Sequence, residues 1–85
     1  MAELSERERA MLEFERQWWR YPAAKESAIH EQFGMSAVLY YRSLHQLVDR
    51  PEAMAYDALV VKRVQRLRDE GRRRRSPARR AAQPR

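Results

Sequence analysis

KESAIHEQFGMSAVLYYRSLHQL, residues 25–47, is the stretch that decides the fold. It reads as a short helix, a three-residue turn Gly34-Met35-Ser36, and a second helix. Gly34 lets the chain reverse tightly, because a left-handed backbone costs little without a Cβ. Met35 can fold inward and pin the turn. Ser36 is an N-cap for the helix that begins at Ala37. Ile29 and Phe33 of the first helix are placed to pack on Tyr40, Leu44 and Leu47 of the second. The pattern is a helix-turn-helix, and its bland counterpart is a helical hairpin whose turn needs glycine for geometry alone.

Upstream, Ser5 with Glu8 three residues on forms a capping-box pattern that opens a helix expected to run to about Trp19. Leu4, Met11, Phe14 and Trp18 share one face of it, widened by Leu12 and Trp19. Both tryptophans are expected as core or boundary residues rather than base-stacking ones. Tyr21-Pro22 ends that helix, and the next is expected over Ala23 to Phe33. The helix after Ser36 should reach about Asp49, with Ala37, Tyr40, Tyr41, Leu44, Leu47 and Val48 on its apolar side. Pro51 fits a helix N1 position or a turn. Asp57 is a candidate cap for a last helix, with Tyr56, Val60, Val64 and Leu67 as its stripe and an end near Glu70. No stretch alternates apolar and polar residues long enough for a strand. The expected fold is all-α: about four helices containing a helix-turn-helix over residues 1–70, then a disordered arginine-rich tail over residues 71–85.

With 85 residues the chain has room for one domain and none for a two-lobed catalytic cleft. It lacks cysteine, so disulfides and thiolate metal sites are excluded, and with only His30 and His45 no metal or other cofactor is expected. Glu6, Glu8, Glu13 and Glu15 alternate with Arg7, Arg9 and Arg16, which reads as a salt-bridged solvent face rather than acid–base machinery. An enzyme is therefore the class least supported. No apolar run approaches the roughly 20 residues that span a bilayer, and the N-terminus does not read as a signal peptide; the expected place is the cytoplasm, at the nucleoid.

Charge divides the chain. Residues 1–61 hold seven Lys/Arg and ten Asp/Glu, a net of −3, whereas residues 62–85 hold eleven and two, a net of +9. The asymmetry points to a polyanion. Duplex DNA is the first expectation, with the helix after Gly34 in the major groove. Ser36, Ala37, Val38, Tyr41, Arg42 and His45 are its outward or border candidates. Arg42 could donate to guanine, Val38 or Ala37 could touch a thymine methyl, and Ser36 and Tyr41 could bond phosphates. Lys62, Arg63 and Arg66 extend the basic surface, and Arg72, Arg73, Arg74, Arg75, Arg79 and Arg80 form a phosphate-binding arm.

No ligand-sensing feature is present, which favours a nucleoid-associated protein or a simple transcriptional regulator without a small-molecule ligand. A homodimer would double the site, and two seams offer themselves: Leu12 with Trp19 on the first helix, or Tyr56, Val60, Val61 and Val64 on the last. A protein–protein adaptor, for example of the transcription machinery, is the alternative, favoured by the acidic balance of residues 1–61. RNA binding by the arginine-rich tail is a third.

The segment from about Leu12 to Arg68 also resembles a family of short actinobacterial proteins of unknown function. The resemblance rests on Phe14-Glu15-Arg16-Gln17-Trp18-Trp19, the Phe33-Gly34-Met35-Ser36 turn, Tyr40-Tyr41, Asp49-Arg50-Pro51 and Val61-Lys62-Arg63. It implies a helix-turn-helix-like fold and supplies no activity or site residue.

Overall fold

Five helices follow one another in the computed structural model, which describes the backbone of residues 3–82 and the side chains of residues 3–73. All regular structure among the described residues is helical. Helix α1 (Glu6–Phe14) opens with the expected capping box: the Ser5 hydroxyl accepts from the Glu8 amide and the Glu8 carboxylate accepts from the Ser5 amide. Helix α2 (Pro22–Phe33) begins with proline at its first position, where no intrahelical N–H is needed. Gly34 ends it in the left-handed region, at φ 66°. Ser36 then caps α3 (Ala37–Leu47), accepting from the Leu39 amide at 3.2 Å.

A six-residue helix, α4 (Pro51–Tyr56), follows, with Pro51 at a helix N-terminus, one of the two places its sequence context allows. Asp57 breaks the chain there in an extended conformation and caps α5 (Ala58–Ala82) by accepting from the Val60 amide at 3.2 Å. The described helix therefore continues beyond the expected end at Glu70. Gly71 costs roughly 1 kcal/mol against alanine in a helix interior. Arginines, which are good helix formers, and the pairs Arg66–Glu70 and Asp69–Arg72 flank it. The tail expected to be disordered spans residues 71–85; its backbone is helical to Ala82, and the side chains of residues 74–85 lie outside the described residues.

α1 is shorter than its periodicity suggests. After Phe14 the backbone tightens, with the Arg16 amide on the Glu13 carbonyl and the Gln17 amide on the Phe14 carbonyl, the i→i−3 pattern that closes a helix. The reason is tertiary: Glu15 turns inward to Tyr40 and Lys25, and Trp19 folds back on Phe14 at 5.6 Å between ring centroids. Trp18 consequently leaves the helix face and stands 82% exposed, which overturns its expected place in the core.

The core gathers Leu12 and Phe14 from α1, Ile29 and Phe33 from α2, Tyr40 and Leu44 from α3, Ala53 from α4, and Val60, Val61 and Val64 from α5. Its centre is a ring cluster. Phe14 meets Phe33 edge-on at 5.5 Å and Tyr40 at 5.7 Å, and Phe33 lies 5.3 Å from Tyr40. Such pairs each add about 1 kcal/mol beyond the area they bury.

Most of both seams suggested for a dimer is consumed by this core, although Tyr56 is 39% exposed. Leu12 and Val61 are fully buried within the chain, Val60 and Val64 nearly so, and Trp19 is half-buried against Phe14. The exposed apolar side chains of α5 are instead Leu59 and Leu67.

Candidate nucleic-acid interface

The Gly34 turn sets two helices against each other and leaves one side of the N-terminal half of α3 facing outward. Val38 is 72% exposed and Leu39 47%, and Arg42 is exposed one turn after Val38. Arg42 meets no acid among the described residues. Ser36 is exposed, with its hydroxyl committed to the cap, and Ala37 is half-buried.

Tyr41 and His45 border the exposed face without belonging to it. The Tyr41 ring packs edge-on against Tyr40 at 5.2 Å, carries the Lys25 ammonium 5.2 Å from its centroid, and lies 6.2 Å from His45. His45 is half-buried beside α5, where Arg68 donates to its backbone carbonyl at 3.1 Å. Burial first, and then the charges of Arg68 and Arg72, hold its imidazole below the usual value, with Asp49 and Glu15 opposing.

α5 distributes its basic residues over different sides. Arg68 and Arg72 line a depression with His45 and Leu67. Lys62 and Arg66 are exposed one turn apart, on the side of the helix away from that contact. Arg63 is half-buried and donates to the Glu15 carbonyl. Arg73 is exposed, while Arg74, Arg75, Arg79 and Arg80 lie outside the residues whose side chains are described. The structure thus joins α3 to the Arg68–Arg72 side of α5 and separates both from Lys62 and Arg66.

The Glu/Arg alternation of α1 is in part the salt-bridged solvent face its pattern suggests, with Glu6, Arg7, Glu13 and Arg16 exposed, but Glu15 is buried and several of the charges reach other segments. Arg7 donates to the Phe33 carbonyl, Arg9 to the Leu4 carbonyl, and Glu8 pairs with Arg50 at 2.6 Å. Glu13 accepts from the Tyr56 hydroxyl, a bond that raises the phenol's pKa. Arg16 holds Asp57 at 2.7 Å, which pushes the carboxyl below and the guanidinium above their usual values. Glu15 is buried, accepting from Tyr40 at 2.6 Å and Lys25 at 3.1 Å. Burial, and then this carboxylate, push the Tyr40 phenol strongly upward.

Beside this network lies an open groove of about 470 Å³ between the 15–25 segment, α3 and α5. Trp18, Trp19, Arg20, Lys25, Tyr41 and Leu67 contribute to its walls, and the Trp19 indole N–H is buried there without a hydrogen-bond partner. Helical periodicity hides this groove, because it places both tryptophans in the core. The signal for it is the run Trp18-Trp19-Arg20-Tyr21 placed directly before a proline.

Among the described residues, no cluster of three or more His, Asp or Glu side chains could hold a metal ion, and no helix is long and apolar enough to cross a membrane. Residues 3–76 match the family described as protein of unknown function (DUF3263). The chain belongs to the DUF3263 family. The match takes in all five helices except the end of α5. No curated protein and no solved structure matches the chain.

Proposed function

We propose that this DUF3263 chain is a small DNA-binding protein, nucleoid-associated or a simple transcriptional regulator, that sets α3 into the major groove of a duplex. One observation carries the reading. The left-handed Gly34 and the Ser36 cap present Val38 and Arg42 outward at the start of α3, and Arg42 meets no acid among the described residues. The N-terminal residues of a recognition helix reach base edges, and arginine matches the paired acceptors of guanine. Arg72 and Arg73, with the arginines that follow them, would neutralise phosphates and supply most of the affinity. Two copies would double the contacted site. With the core valines enclosed, Leu59 and Leu67 are the apolar surface of α5 left for pairing.

Anisotropy of a labelled duplex titrated with the full chain at several salt concentrations tests the proposal. If about six phosphates are neutralised, log K falls against log salt with a slope of roughly −5. Arg42→Ala should weaken binding about tenfold and relax any base preference. A slope near zero overturns the mechanism. A protein partner is the second reading, favoured by the 82% exposure of Trp18; an unchanged duplex affinity in Arg42→Ala would turn the balance toward it.

A further inference from the structure

We infer that the groove beside Trp18 is a second nucleic-acid site, which takes an unpaired base and its phosphate from a single strand. The outward residues Val38, Leu39 and Arg42 of α3 do not line it, and it does not depend on the duplex reading. Trp18 stands at the groove 82% exposed, whereas Trp19 and Tyr41 line it half-buried. Trp19 rests on Phe14 and Tyr41 on Tyr40, so both are held by the ring cluster of the core. Aromatic faces set in a cationic groove stack bases of any identity, because every base has a π-face.

The charge fits the other half of a nucleotide. Arg20, Lys25 and Arg63 line the groove against two acids, Glu15 and Glu26; Lys25 is paired with Glu15 and Arg63 bonds the Glu15 carbonyl, so the exposed Arg20 is the cation open to a phosphate. Glu15 is buried and held by Tyr40 and Lys25, which leaves Glu26 as the exposed acid. Helix α2 opens at the same place, with Pro22 in the wall and no side-chain hydrogen bond on its N-terminus, so the positive end of that helix adds to the field. Leu67 belongs both to this groove and to the depression holding Arg72, which gives a strand leaving the aromatic site a cationic route along α5. The volume of about 470 Å³ admits one nucleotide rather than a duplex.

The two tryptophans are the chain's only ones and both line this groove, so tryptophan fluorescence, excited beyond the tyrosine band, reports on it. The full chain is titrated with a twelve-residue oligothymidylate, with an abasic strand of the same length, and with a blunt duplex. Saturable quenching by the oligothymidylate, absent with the abasic strand, is expected. Trp18→Ala should weaken that binding about tenfold and leave duplex affinity within twofold, with Trp19 as the remaining reporter. Trp18→Phe should recover part of the loss, and Arg42→Ala should spare it.

Equal binding of the abasic strand, or equal losses in Trp18→Ala and Trp18→Phe, overturns base stacking. No quenching by oligothymidylate where the duplex binds overturns this site and leaves the duplex proposal standing. Quenching by oligothymidylate without any duplex binding does the reverse.

Discussion

The arginines of the helical body and those of the outer surface have opposite fates. In the body, Arg7, Arg50, Arg63 and Arg68 reach carbonyls and carboxylates of other segments and tie helices together. On the outside, Arg42 of α3 and Arg73 of α5 meet no acid among the described residues. A guanidinium is chemically the same in both places. Whether it is a structural tie or an available cation depends on whether a backbone carbonyl or carboxylate lies within reach. Net charge therefore overstates what the body can offer a polyanion, and the outward residues carry more than their number suggests.

The comparison breaks most visibly at Glu15. Glu15→Ala removes the acceptor shared by Tyr40 and Lys25 in a buried setting, and urea unfolding should show a loss of about 3 kcal/mol. A loss below the noise of the measurement would mean that the network is not a tie at all. Arg68→Ala comes next. Its side chain is 11% exposed and serves both the His45 carbonyl and Asp49, so about 1.5 kcal/mol of stability should go.

On the available side, Arg73→Ala should leave the melting temperature unmoved while flattening the salt slope of duplex binding by about 1. If it unfolds the chain instead, the division between tie and available cation fails for α5.

The smallest effect concerns pH. The folded chain holds His45 below its usual pKa, so the unfolded chain takes up that proton first as pH falls below about 6.5. Stability should decline from there until folded His45 is also protonated. His45→Gln should flatten that part of the stability profile, as measured by urea midpoints between pH 7 and 5.

Much of the local architecture is legible in the sequence. The capping box at Ser5, the glycine turn, the Ser36 cap and the Asp57 cap act over three or four residues, and each stands where its residue type requires. So does the inner side of α3, where Tyr40, Leu44 and Leu47 are buried at helical spacing. The outward residues Val38 and Arg42 follow from the same periodicity. What periodicity misplaces is the end of α1. It continues the apolar face through Trp18, and it reads Glu15 as one more charge in an alternating run.

Those two residues are decided by partners far away in the chain. The Glu15 carboxylate turns inward because Lys25, 10 residues on, and Tyr40, 25 residues on, both donate to it. That inward turn ends α1, folds Trp19 onto Phe14 and leaves Trp18 in solvent. Sequence by itself determined where α1, α2, α3 and α5 start, where α2 and nearly where α3 stop, and which sides of them are apolar, because capping and periodicity are short-range. Only the tertiary structure decided which charges are ties and which aromatic rings face solvent, because a buried carboxylate is tolerable only where donors from distant segments converge on it.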